Sequence, residues 1–397
     1  MFHQRKIMII IKDSKKFPVR TKGAGNHPFR EAAMKNFTHC MLSSLLVITL
    51  SACVSHAESN AKTELHKENM KIAYLVGHLG DKSYCDSGER GASQLRQEGY
   101  QVTTYEIGDD PSRFTDLILD AIEQGDNLIL GISNFLEPMD DLSKDYPDVK
   151  FVLIDVYREP EELLANQAAI YYAENEGSYL IGELSAALTK TGTVAIDVGL
   201  DVPVVQDFVT GYVNGVKDWN AVNGTNVKIV KGSVGSWNDP ATMKMIVLDQ
   251  ERNSHADLFY QVAGTSGDGL FEACRETNTW AIGVDSDQYQ AFIDSKNPEK
   301  AEVILTSMIK EVGNSLVSTV HAIDQGEDIW KKTKILGLAE NAVGYVNNEH
   351  FQKNVPAEIR DALEKSAEDI IAKRITVRSY YGFNDESEYE AYVDSAR

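Results

Sequence analysis

Cysteine is scarce, four residues in 397, and only Cys85 and Cys274 fall in the body of the chain. With no CxxC pair, a disulfide scaffold is excluded; one bridge between these two is permitted, but nothing in the sequence places them together. The nine histidines are scattered without ligand spacing, so a metal site has no support. No apolar run reaches the roughly 20 residues of a membrane-spanning helix, which excludes a polytopic membrane protein. Basic residues are short, 39 against 60 acidic ones for a net −21, and so acidic a surface repels phosphate backbones; no nucleic-acid partner is expected. GxxxxGK[ST], GxSxG and a Ser-His-Asp order are all missing, so neither a cofactor nor catalysis is called for. Disorder and collagen are excluded by 43% apolar content and only 28 glycines.

The charge is unevenly spread. Residues 1–33 hold eight Lys and Arg against Asp13 and Glu31; with Lys35 also upstream, the chain from Cys53 onward stands at −28. Met41–Ala52 (MLSSLLVITLSA) is uncharged and apolar, the length of a signal-peptide core and too short to span a bilayer. Met34-Lys35 makes a compact charged start, pointing to Met34 as the true initiator and to residues 1–33 as an upstream extension. Leu50-Ser51-Ala52-Cys53 resembles a bacterial lipobox, which implies cleavage before Cys53, lipidation of its thiol and an anchored, outward-facing protein. The bland alternative is an ordinary signal peptide with an incidental cysteine. Residues 53–70 are polar and aperiodic and read as a tether.

From Lys71 short β-branched runs alternate with helical stretches. Strands are expected at KIAYLV (71–76), QVTTYEI (101–107), NLILGI (127–132), VKFVLIDV (149–156), TVAIDVG (193–199), NVKIVKG (226–232), ADLFYQVAG (256–264), TWAIGVD (279–285) and EVILTSM (302–308). Helices are expected at Tyr84–Gln97, Arg113–Gln124, Glu176–Thr189, Val204–Trp219, Ala241–Arg252, Ile309–Gln325 and Pro356–Arg374. Such alternation builds right-handed βαβ units and parallel sheets. So many strands exceed one comfortable open sheet, so the fold class is α/β with two lobes. Residues 1–52 are expected to be the signal region and 53–70 the tether. Residues 71–190 then form mainly the N-terminal lobe, 191–310 mainly the C-terminal lobe, and 311–397 a crossover with a C-terminal helical segment. The aromatic, acidic end SYYGFNDESEYEAYVDSAR (379–397) has no assignment from sequence.

Ligands of parallel sheets bind beyond the carboxyl ends of the strands. Polar and aromatic residues crowd there: Gly80-Asp81-Lys82-Ser83-Tyr84 after the first strand, Ser133–Glu137 after the third, and Gly235–Pro240 later. Gly264–Gly269, Asp285-Ser286-Asp287 and Lys310 follow other strands. Each has a plainer reading. Asp81, Ser236 and Asp239 are good helix N-caps. Gly264–Gly269 lacks the GxGxxG order of a phosphate cradle, and the pair Asp285/Asp287 has no third ligand for a metal. Tyr84 and Trp237 are equally readable as core aromatics.

Several of these loops together resemble the basic membrane protein (BMP) family, substrate-binding lipoproteins of ABC importers typified by a purine-nucleoside-binding member from spirochaetes. The resemblance runs from about Lys71 to Tyr345, on GDKSY (80–84), YPDVKFVLID (146–155), ENEGSYLIGELSA (174–186), GSWNDPA (235–241), QVAGTSGDGLFEA (261–273), IGVDSDQ (282–288) and LTSMIK (305–310). It implies a two-lobed, hinged, periplasmic-binding-protein-like fold closing on a nucleoside-like solute, with an ABC permease as partner and the bilayer reached through Cys53. Tyr84 and Trp237 match two stacking phenylalanines, Glu137 matches an acid on the base edge, and Asp285 an acid for the ribose hydroxyls. Gly264 matches a backbone contact, Lys310 a lysine reaching into the cleft, and Asp81 the first-loop acid. Departures bear on the ligand more than on the fold: Gly80 stands where Asn or Asp is usual, Cys85 where Asn is usual, and Glu137 is one methylene longer than Asp. A purine nucleoside or a similar flat, hydroxylated solute is the expected ligand. A surface sensor or adhesin-like lipoprotein of the same fold, without transport, is the alternative.

Overall fold

Five of the six residues of β1 (Lys71–Val76) are buried, as a strand covered on both faces requires. The run is the first element of a computed structural model that describes residues 64–397 apart from Asp109, Asn134, Phe135 and the side chain of Pro111. The signal segment, Cys53 and most of the tether lie outside the described residues.

The first lobe continues through α1 (Tyr84–Gln97), β2 (Gln101–Glu106), α2 (Phe114–Glu123), β3 (Leu128–Ile132), α3 (Leu136–Asp145), β4 (Lys150–Ile154) and β5 (Gln167–Tyr172). The chain then crosses into a second lobe of α4 (Glu174–Leu188), β6 (Thr193–Val198), α5 (Pro203–Asn223), β7 (Lys228–Ser233), α6 (Pro240–Ser254) and β8 (Leu258–Val262). That lobe goes on through α7 (Gly267–Thr277), β9 (Trp280–Asp285), α8 (Gln288–Asp294), α9 (Pro298–Ala301) and β10 (Ile304–Lys310). α10 (Val312–Asp324) and β11 (Thr333–Leu336) return to the first lobe, and β12 (Val343–Tyr345) to the second. α11 (Glu349–Asn354), α12 (Ala357–Ile371) and α13 (Glu386–Asp394) finish the chain.

Two six-stranded sheets result, in the orders β11-β5-β4-β3-β1-β2 and β12-β10-β9-β8-β6-β7. All pairings are parallel except β12 against β10. Alternate residues of β1 serve opposite faces: Ala73 and Leu75 pack with Phe114, Ile118 and Met139 of α2 and α3, while Ile72, Tyr74 and Val76 join Leu95 and Leu316 of α1 and α10. The second sheet is sandwiched likewise, with Met243, Leu270 and Phe292 on one face and Leu180, Val209 and Val213 on the other. Three passages join the lobes: Ala173 between β5 and α4, Glu311 between β10 and α10, and residues 337–342 between β11 and β12.

Three strands escaped the sequence reading. β5 (QAAIYY) carries two alanines and little of the β-branched signal, and β11 and β12 are short edge pieces. The helix expected from Ile309 begins instead at Val312, because Met308–Lys310 are paired with β12. The unassigned end is a helix laid on α5. Tyr389 and Val393 are buried there, and the Ile229 N–H of β7 bonds to the Ala396 carbonyl.

Candidate ligand-binding site

The carboxyl ends of both sheets face one another across a cavity of about 810 Å³ empty volume, its open mouth included. A cleft of that size suits a small organic ligand. Asp81, Tyr84, Trp237, Gly264, Asp285 and Lys310 all line it; Glu137 does not.

Tyr84 is the first residue of α1, and Asp81 fixes it there. The Asp81 carboxylate accepts the backbone N–H groups of Ser83 (2.9 Å), Cys85 (2.9 Å) and Asp86 (3.1 Å), so from two residues before the N-cap position, Ser83, it satisfies first-turn donors of the helix and is also part of the wall. Burial raises its pKa, and those three bonds oppose the rise. The buried Tyr84 hydroxyl has no hydrogen-bond partner among the described residues. Cys85 is a free thiol on the same wall, its pKa pushed up by burial; Cys274 is buried in the second lobe and also free.

Trp237 enters from the opposite lobe on the loop before α6. Its indole lies over Gly199, where a Cβ would come within 2.5 Å of ring atom Cε3. Ser266, fully buried and absent from the sequence-derived site, holds this loop. Its N–H bonds the Trp237 carbonyl (2.9 Å), its hydroxyl bonds the Ser236 carbonyl (2.9 Å), and its oxygen accepts the Asp239 N–H (2.8 Å). Gly264, two residues earlier, takes φ +55°, the left-handed conformation that glycine adopts without a Cβ penalty. Asp239 caps α6, as its residue type suggests. Ser236 does not cap a helix: its hydroxyl accepts the Asn238 N–H in a local turn, because α6 starts four residues later at Pro240.

At the floor lies a buried charge cluster. Lys310, at the end of β10, is 1% exposed and donates to both oxygens of Asp155 at 3.0 and 2.9 Å. Asp155 follows β4, so this ion pair joins the two lobes. Glu174, the first residue of α4 and fully buried, sits 3.9 Å from the same ammonium, with no hydrogen-bond partner for either oxygen among the described residues. Burial drives its pKa well above the usual carboxylate range, and the attraction of Lys310 opposes the rise. Burial alone would lower the pKa of Lys310, but Asp155, Glu174 and Asp285 together raise it, and the ammonium stays charged. Asp285 accepts the Ser83 hydroxyl at 2.7 Å, a second bond between lobes. Burial raises its pKa to about 6 against the attraction of Lys310. Asp287 caps α8 and forms no dyad with it.

Asp155 and Asp285 are counterparts. Each stands at the carboxyl end of the strand neighbouring the one that leads out of its lobe, Asp155 just after β4 and Asp285 as the last residue of β9, and each has φ +65°. The signal was present in sequence, since FVLID and AIGVD end alike, but the resemblance singled out only the second acid. Glu174 carried no such signal, because an acid in a helix's first turn is ordinarily a solvated one. Phe208 of α5 is a third aromatic on the wall, 4.5 Å from the Lys310 ammonium to its ring centroid. Glu137 lies exposed in the first turn of α3, in a neighbouring opening that it shares with Trp237. The geometry gives a slot between aromatics of opposite lobes, with carboxylates and one neutralised ammonium at its base. Among the described residues no group of His, Cys, Asp and Glu could hold a metal ion.

Comparison with known proteins identifies the family and the fold. The profile of a family described as ABC transporter substrate-binding protein PnrA-like (Bmp) matches residues 70–379. Basic membrane protein A1 of Borrelia garinii subsp. bavariensis is 27% identical over 357 residues, covering 89% of this chain and 99% of the relative. The ABC transporter nucleoside-binding protein BmpA of Lactococcus lactis subsp. cremoris is 29% identical, covering 84% of this chain and 95% of the relative. A crystal structure of an ABC transporter solute-binding protein from Aeropyrum pernix superposes with a TM-score of 0.71 at 22% identity, over 82% of this chain and 97% of that one.

Proposed function

The chain belongs to the Bmp family of PnrA-like ABC transporter substrate-binding proteins, and from that premise we propose that it binds a purine nucleoside between its lobes and delivers it to a membrane permease. The observation that carries the reading is the pair of aromatics, Tyr84 and Trp237, supplied to one cavity by opposite lobes. A flat, polarizable base fits between two such faces, each stack contributing roughly 1–3 kcal/mol. Asp285 is then placed to accept the ribose hydroxyls and Lys310 to donate beside it, with the backbone at Gly264 completing the sugar end. Glu137 does not line the cavity but lies in the neighbouring opening beside Trp237, from which it is the acid available to the outer edge of the base. Asp81 acts by fixing Tyr84. The relative from Lactococcus lactis, named for nucleoside binding, supports the same ligand class.

Binding across the cleft lets ligand energy drive closure, and the closed form is what a permease would select. The lipobox-like Leu50–Cys53 supports a lipid anchor on the outer side of the membrane; no described helix is long and apolar enough to cross it. Cys53→Ala is expected to move the protein from the membrane to the soluble fraction. Ligand class is tested by thermal melting of residues 54–397, first stripped of carried-over ligand by partial unfolding. Ribonucleosides are expected to raise Tm with concentration, as a ligand of the folded state must. Stabilisation by free sugars with none from nucleosides would contradict the reading.

A further inference from the structure

We propose that Asp155 is a positioning residue that makes the cavity selective for uncharged ligands: by holding Lys310 it removes the ammonium that an anionic ligand would need. The inference rests on the nucleoside reading and adds a specificity that neither the fold nor the aromatic pair supplies. Lys310 is the one lysine or arginine on the cavity wall among the described residues. An ammonium buried to 1% exposure in such a place would ordinarily mark a site for a phosphate or carboxylate. Here both oxygens of Asp155 take its N–H groups at 2.9 and 3.0 Å. Three acids face it in all: Asp155 in contact, Glu174 at 3.9 Å, and Asp285, whose field it also feels. Asp81 and Asp285 add negative potential to the wall. An anion entering would meet an ammonium already matched, and would lose its own hydration without a free partner. A neutral nucleoside incurs no such cost, since its hydroxyls can donate to carboxylates and accept from whichever Lys310 proton is turned toward them.

The arrangement also explains why the acid comes from the other lobe. Lys310 ends β10 of the second lobe and Asp155 follows β4 of the first, so the ammonium is held by a bond that spans the two lobes.

The test compares guanosine and inosine with their 5′-carboxylates, in which a carboxylate replaces a hydroxymethyl group of nearly the same size. The quantity read is the ratio of the two dissociation constants by calorimetry, which a general loosening of the fold would not move in one direction. Wild type is expected to prefer the nucleoside strongly. Asp155→Asn is expected to narrow the ratio by at least about tenfold, and Asp155→Asn with Glu174→Gln to narrow it further, because Glu174, 3.9 Å away, is the next acid beside Lys310. Lys310→Met, the opposite imbalance, is expected to widen it. The charge-balanced pair Asp155→Asn with Lys310→Met is expected to discriminate as wild type does, and it serves if Asp155→Asn alone fails to fold. A ratio unmoved by Asp155→Asn, or anion acceptance by the balanced pair, overturns the inference while leaving the nucleoside reading intact. Failure of wild type to bind any nucleoside overturns both.

Discussion

Trp237 and Asp285 carry opposite ends of the proposed ligand, and their removal has separable consequences. Trp237→Ala deletes one face of the slot and is expected to weaken nucleoside binding about 10- to 100-fold, the worth of one base stack, as read by calorimetry. Base and nucleoside are expected to lose affinity alike. On the proposed reading Asp285 serves the sugar as an acceptor, and its ionised form is the stronger acceptor for two hydroxyls. Because burial places its pKa at about 6, affinity is expected to hold above that pH and to fall as pH drops through it, each bound hydroxyl losing its acceptor. Asp285→Asn is expected to bind more weakly at pH 7.5 and to show a flatter profile between pH 5 and 7. A variant profile that parallels the wild type would assign the titration to another group.

Among the elements, the C-terminal segment has the clearest mechanical role. It is anchored on α5 through Tyr389 and Val393, while Tyr381 reaches the first lobe, its ring 5.1 Å from Tyr157 and 5.4 Å from Tyr171 between centroids. Asp207 of α5 closes the same seam, accepting the Tyr171 hydroxyl (2.5 Å) and the Tyr380 N–H (2.6 Å). Tyr381→Ala is expected to cost roughly 1–3 kcal/mol in urea unfolding, because the ring that packs against both first-lobe tyrosines is removed. β6 supplies a different test. Asp197 is fully buried and its pKa is raised to about 7 by burial, partly opposed by the Gln250 amide at 2.7 Å. Its folded pKa exceeds the unfolded value, so its contribution to stability is full below the unfolded pKa of 3.8 and declines as pH rises through about 7. Unfolding free energy measured across that range is expected to fall in wild type relative to Asp197→Asn, by on the order of 2–4 kcal/mol in all. Two parallel curves would mean that Asp197 does not titrate there.

The whole molecule was readable from sequence where the physics is local. The α/β alternation, the sharp start of α1 at Tyr84 and the crowding of polar residues at strand ends all follow from period and residue type. What local pattern could not reveal is what the second lobe does to the first. β5 has no strong strand signature and is fixed by its neighbours on both sides. Glu174 is buried because its helix begins where the chain crosses between lobes, and Ser266 holds the Trp237 loop through bonds that span some thirty residues of chain. Glu137 shows the reverse: its position by resemblance was clear, yet α3 places it outside the cavity, in the neighbouring opening beside Trp237. The proposed closure on a flat, hydroxylated solute would unite the aromatic slot and the interlobe ion pair. The measurement that tests it most directly is calorimetric titration of stripped residues 54–397 with guanosine and with 2′-deoxyguanosine. Submicromolar binding of the ribonucleoside, with at least about tenfold weaker binding of the deoxy form, is the expected result, since a lost hydroxyl leaves Asp285 short of a donor. A folded protein that binds neither, or that binds both equally, would contradict the account.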